Sequence, residues 1–134
     1  MLDWNEVRTE HLQLSYECLQ EAEVLLQAGY FRGCLSRAYY CCFHAMCSCL
    51  SEQHIDRRSD HGQIIGSFRR YYIKTGIFDK QMSKTIDTLY NNRGGSDYNT
   101  KYHVDEETAV KYIDYTKSFY EEIRRYIAAK YGGK

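Results

Sequence analysis

The stretch Phe31–Leu50, FRGCLSRAYYCCFHAMCSCL, constrains this chain more than any other. It carries no acidic residue and no proline, so it can run as one continuous helix. At 3.6 residues per turn, Arg37, Tyr40 and His44 share a face at i, i+3 and i+7. A second face carries Cys34, Ala38, Cys41, Ala45 and Cys49, all small enough for another helix to approach closely. Leu35, Tyr39, Phe43, Met46 and Leu50 add bulk beside it. A helix apolar over this much of its circumference belongs inside a bundle or between subunits. The guanidinium and imidazole it carries then need partners, because unpaired polar groups are costly to bury.

The rest of the chain supplies the bundle. Helix one is expected over about Asn5–Ala28, capped by Asp3 or Asn5, with Leu12, Tyr16, Leu19, Ala22 and Leu26 as its apolar stripe and Gly29 as its end. Helix two begins near Tyr30 and fades by about Gln53. Ser59 or Asp60 caps helix three, which presents Ile64, Ile65, Phe68, Tyr71 and Tyr72 and stops at Thr75-Gly76. Asp79 caps helix four, about Lys80–Asn92, where Met82, Ile86 and Leu89 form a row that Arg93 continues inward. RGGSDYNTKYH reads as a loop turning at Gly94-Gly95. Asp105 caps helix five, whose stripe is Ala109, Tyr112 or Ile113, Thr116, Tyr120, Ile123 and Ile127.

No stretch alternates with period two, and there is no repeat or linker. The expectation is one all-α domain over 1–134, an antiparallel bundle of four long helices and a short one without a β-sheet. No apolar run is long enough to span a bilayer and the acidic N-terminus does not read as a signal peptide, so the expected location is the cytoplasm, with no membrane partner. Lys+Arg and Asp+Glu balance at 18 each, which disfavours strong non-specific adhesion to nucleic acid but leaves room for a local basic groove. Five of the six cysteines crowd onto one helix, where disulfide geometry cannot be met, and no zinc-ligand spacing exists. They read as small buried hydrophobes; neither a metal nor a cofactor is expected.

Three groups could carry chemistry. Arg37, Tyr40 and His44 could line a groove for a phosphate or a base, or form a buried cluster that orients helix two. Arg93 beside Gly94-Gly95-Ser96-Asp97-Tyr98 could hold a phosphodiester, or could pair with Asp97 to close the loop. Arginine cannot act as a base, so metal-free RNA cleavage needs a histidine: His103 on the same loop, or His44 or His61 from across the bundle. His61 opens helix three, where capping-region packing is the plainer reading. Arg57-Arg58, Arg69-Arg70 and Arg124-Arg125 read as solvated faces with weak RNA contact as the alternative.

LSRAYYCCFHAM, then DHGQIIGSF, then YYIKTGIFDKQMSKTIDTLYNNRGGSDYN resemble the HEPN domain family of bacteria and archaea, over about Gly29 to Tyr126. The carriers are SRAYYxxFHA at Ser36–Ala45 and the arginine ahead of Asp-Tyr, here Arg93, Asp97 and Tyr98. The resemblance implies a helical bundle that pairs as a symmetric homodimer. Many members are metal-independent endoribonucleases in toxin–antitoxin or defence systems; some pair with a minimal nucleotidyltransferase that adenylylates a tyrosine; others bind nucleotides or RNA, or are non-catalytic scaffolds. In the ribonucleases an arginine is followed after four to six residues by a histidine. Arg93 matches that arginine, whereas the position five on is Tyr98, the closest match to the modifiable tyrosine, and nine residues separate Arg93 from His103. The expected site is therefore Arg93 with His44 or His61 as substitute base, and Arg37, Tyr40, Asp97 and Tyr98 around the RNA or nucleotide. The alternative is a non-catalytic module that docks a nucleotidyltransferase.

Overall fold

The computed structural model describes residues 1–56, 60–98 and 103–132, with residues 93–98 as backbone only. Five α-helices follow in order: α1 Trp4–Gln27, α2 Phe31–Leu50, α3 His61–Phe68, α4 Lys80–Tyr98 and α5 Glu106–Tyr131. A single 3-10 turn, Ser51–Gln53, extends α2, and a π-turn, Arg69–Ile73, extends α3. There is no strand among the described residues, so the fold is the expected all-α bundle.

α2 is the hub. It packs against α1, α3, α4 and α5, and thirteen of its residues are buried. The small face at Cys34, Ala38, Cys41, Ala45 and Cys49 is wholly buried, as are Leu35, Tyr39, Met46 and Leu50. Large side chains buried to this degree contribute about 1.5–3 kcal/mol each. All six cysteines are free and buried. Burial pushes the Cys34 thiol up to about 11. It pushes Cys41 up to about 12, against the lowering effect of a bond from Ser15.

The helix ends follow from local chemistry. Asp3, Asp60 and Asp105 accept backbone N–H bonds from the first turns of α1, α3 and α5. Asp79 does the same for Gln81 at the start of α4, at 2.7 Å. α1 closes in a Schellman motif: Gly29, at φ +83°, donates to the Leu26 carbonyl while Tyr30 donates to that of Leu25. Gly76, at φ +80°, turns the chain out of the π-turn.

Three expectations need correction. The inward line of α1 is Val7, His11, Ser15, Cys18, Leu19 and Ala22, whereas Tyr16 is 42% exposed. Two polar residues sit in that line because α2 satisfies them; Ser15 donates to the Cys41 carbonyl at 2.7 Å. Helix three reaches its expected end near Lys74 with Tyr72 buried as expected, but its last turn, Arg69–Ile73, is a π-turn rather than α-helix. α4 carries on through Gly94-Gly95 to Tyr98, so glycine here is accommodated in helix rather than ending it. Among the described residues no helix is long and apolar enough to cross a membrane.

At the N-terminus Trp4 lies flat on His54, with ring centroids 4.8 Å apart and planes 1° from parallel. His54 is in the left-handed region at φ +54°, where the 3-10 turn ends.

Candidate functional site

α2 contributes the centre of the site. Tyr39 is fully buried, Tyr40 and His44 are half-buried, and Phe43 lies between them. α3 brings His61 onto this surface because Asp60 caps the helix and fixes where its first residue points. His61 stacks on Phe43 at 4.1 Å, and the Tyr39 hydroxyl lies 2.6 Å from its Nδ1. Phe43 also meets His44 edge-on at 5.6 Å, and Tyr40 meets His61 edge-on at 6.0 Å. The histidines at 44 and 61 therefore flank one phenylalanine. α4 adds Tyr90, whose ring lies over Tyr39 at 5.6 Å.

Each imidazole is held through its Nδ1. His44 Nδ1 lies 3.0 Å from Nδ1 of His11, a residue 1% exposed on α1. One ring in that pair supplies the N–H and the other must present a bare nitrogen. His61 is held the same way by Tyr39. Anchoring one ring nitrogen orients the other and selects its tautomer, which is the arrangement proton transfer requires.

Arg37 takes a different environment. Its guanidinium lies 4.9 Å over the Tyr40 ring and 3.4 Å from the Glu21 carboxylate. The groove beside it is lined by Glu17, Glu21, Gln20, Val24 and Leu25, so it shares the groove with two carboxylates. The geometry thus joins Arg37, Tyr40, His44 and His61 through Tyr40 and Phe43. His103 does not join them. It lies with Val104 beside Gly29–Gly33 at the α1–α2 turn, and Gly33 is itself about 16 Å along α2 from His44. The side chains of Arg93, Asp97 and Tyr98 lie outside the described residues, as do Arg57 and Arg58. Of the other basic pairs, Arg69 bonds Ser83 and Asp87, and Arg124 and Arg125 both pair with Glu121. Among the described residues no three His, Cys, Asp or Glu side chains group as metal ligands.

Sequence reasoning did not single out His11, Phe43 or Tyr90 as part of this surface. His11 carried a signal: it falls at the i+4 step between Val7 and Ser15 on the line that faces α2. Nor did it find a second polar cluster at the far end of α2. Glu52, with its side chain 7% exposed, accepts from Tyr126 at 2.8 Å, from Tyr131 at 2.5 Å and from Lys130 at 2.8 Å, and it shares the single Tyr72 hydroxyl proton, at 2.8 Å, with the Cys49 carbonyl at 2.5 Å. Burial raises the Glu52 carboxyl, but the bonds from Lys130 and the three phenols outweigh it and hold the group below its ordinary value. These residues tie the C-terminal ends of α2 and α5 to the π-turn.

A model of the HEPN domain matches residues 9–126. A UPF0332 protein of Thermotoga maritima is 26% identical over 111 residues, 83% of each chain. A Methanocaldococcus jannaschii protein named "Putative toxin MJ0605" is 26% identical over 118 residues, 84% of this chain and 87% of that one. A UPF0332 protein of Pyrococcus horikoshii is 32% identical over 85 residues, 63% of this chain and 59% of that one.

Proposed function

The chain belongs to the HEPN domain family, and from that premise we propose that it binds RNA or a nucleotide as the toxin-like half of a pair with a minimal nucleotidyltransferase. The observation that carries this reading is the placement of His44 and His61 on either side of Phe43, each anchored through Nδ1. Nothing in the packing of an apolar core calls for two oriented imidazoles at one half-buried surface. Two relatives from Methanocaldococcus jannaschii are named "Putative toxin", which supports the toxin-like role.

In the cleaving version, one histidine takes the proton of a ribose 2′-hydroxyl as that oxygen attacks the adjacent phosphorus. The P–O5′ bond breaks and the departing 5′-oxygen is protonated. Arg93 steadies the phosphate, an assignment that rests on its match to the family arginine and on its register four residues beyond Leu89. Asp97 and Tyr98 complete the groove, Tyr98 as the modifiable tyrosine, and two copies of Arg93 face each other in a homodimer. The test is incubation of labelled RNA with the parent, Arg93→Ala and His61→Ala, with chelator present throughout. Cleavage by the parent that both variants lose supports the reading; equal inactivity of all three retires the enzyme.

A second reading is favoured by a specific observation: Arg37, His44 and His61 all engage internal partners, Glu21, His11 and Tyr39. On that reading the polar cluster orients α2, and the protein is a non-catalytic module that docks the nucleotidyltransferase. Co-purification with the product of the adjacent gene, without RNA cleavage, separates it from the first.

A further inference from the structure

His11 is an imidazole turned into the interior. It sits on the inward line of α1 between Val7 and Ser15 and is 1% exposed. Its Nδ1 lies 3.0 Å from Nδ1 of His44, and the two rings overlap with centroids 5.2 Å apart and planes 27° from parallel. His44 is half-buried, so water reaches that ring and not its partner. A hydrogen bond between two Nδ1 atoms holds a single proton. With both rings cationic, two N–H groups and two charges would face each other at this distance, one of them in the interior, where an uncompensated charge is costly. The pair therefore takes one proton beyond its neutral state. That proton goes to the ring that water reaches, because a cation there stays partly hydrated. Cationic His44 carries N–H on both nitrogens, so its Nδ1–H donates to a bare Nδ1 on His11. Removing the Nε2 proton of His44 then leaves that bond untouched.

We infer that His11 is the positioning residue of His44: it accepts the Nδ1–H of that ring throughout and leaves Nε2 as the nitrogen that gains and loses a proton. The inference rests on the RNA-cleaving version of the reading above and names its base, with His61 left to protonate the departing oxygen. His11 touches no substrate and acts through His44. A neutral acceptor behind the base fixes its tautomer, and the bond between them strengthens when His44 becomes charged. The surrounding elements bring other polar and charged groups, and these are engaged. On α1, Arg8 lies 3.7 Å over the Tyr131 ring, Glu23 pairs with Lys117 of α5, and Ser15 bonds the Cys41 carbonyl. On α2, Ser48 bonds the Arg8 carbonyl and Arg37 pairs with Glu21. α3 presents His61, held by Tyr39 on the far side of Phe43. α5 brings Arg124, paired with Glu121, and the 3-10 turn brings Glu52, paired with Lys130.

The experiment is long-range proton–nitrogen NMR correlation on protein with isotopically labelled histidine, for the parent, His11→Phe and His11→Asn, with His44→Ala to assign the signals. Circular dichroism melts accompany each variant, and cleavage of labelled RNA with chelator present is followed on the same samples. In the parent near neutral pH, His44 should carry its proton on Nδ1 with Nε2 bare, and acid should add the second proton at Nε2. His11→Phe fills the interior with a ring that accepts nothing, so His44 should revert to the Nε2–H form that a free imidazole favours. His11→Asn places an amide oxygen near the lost nitrogen and should restore the Nδ1–H form. Cleavage should fall roughly a hundredfold in His11→Phe and return in His11→Asn. A parental His44 with its proton on Nε2 overturns the positioning role, and that spectrum needs no variant to fold. The same tautomer in His11→Phe as in the parent also overturns it. A parent with the expected tautomer that cuts no RNA supports the positioning of His44 by His11 and overturns the cleavage reading.

Discussion

Replacing Glu52 with glutamine tests the packing at the C-terminal end of α2 most directly. The carboxylate accepts from Tyr126, Tyr131 and Lys130 and shares the Tyr72 proton with the Cys49 carbonyl, while its side chain is 7% exposed. Glutamine keeps the size and one acceptor oxygen, so the Tyr72 and Tyr126 bonds survive as neutral ones. Losing the charge from each costs about 1 kcal/mol. Tyr131 can rotate to accept from the new amide. Lys130 cannot, but it is 53% exposed, so its pair is screened and is worth at most about 1 kcal/mol. Relief from burying a charge offsets part of the total. The balance is a destabilisation of about 2 kcal/mol near neutral pH, or roughly 7 °C in Tm for a chain of this length. Urea unfolding followed by circular dichroism reads it as a lower midpoint with unchanged slope.

Acid supplies the second half of that test. The folded Glu52 carboxyl lies below its ordinary value of 4.5. Its contribution is therefore complete above that value and is lost as pH falls through the folded one. A protonated carboxyl is close to an amide in its bonding, so parent and Glu52→Gln should converge on acidification. Equal midpoints at pH 7, or a gap that widens in acid, would refute the reasoning.

Other outcomes follow from single features. Gly66→Ala should stabilise by about 0.5–1 kcal/mol, because an added Cβ meets nothing within 4 Å and the helix gains a better former; thermal melting checks it. Gly29→Ala should destabilise by about 1 kcal/mol, since φ +83° puts a side chain in the left-handed region at the Schellman turn. The six thiols should resist iodoacetamide in the native state and all react in denaturant, because burial holds Cys34 and Cys41 up to about 11 and 12 and hides the other four; mass spectrometry counts the adducts.

Much of this fold was legible because local rules and tertiary packing agree along α2. Its faces, the aspartate caps at 3, 60, 79 and 105 and the glycine stops at 29 and 76 all rest on interactions within a few residues. The inward row of α1 was misread because apolar periodicity passes over His11 and Ser15, which are interior only because His44 and the Cys41 carbonyl meet them. The π-turn at Arg69–Ile73 carries no compositional mark. The Glu52 cluster draws on residues 52, 72, 126, 130 and 131, a juxtaposition that only the packed topology creates. In the site, Arg37, Tyr40 and His44 announced themselves by spacing along α2. The anchoring of the two imidazoles needed α1 and α3 to arrive beside α2.

The contact between Trp4 and His54 gives the chain a built-in optical reporter. Trp4 is its sole indole, and it rests where the first turn of α1 meets the residue that closes the 3-10 turn after α2. Detachment of the first helix from the end of the second must change the surroundings of that one fluorophore. Intrinsic emission can therefore follow the docking of the amino-terminal segment without a label, separately from the helical signal of the whole bundle.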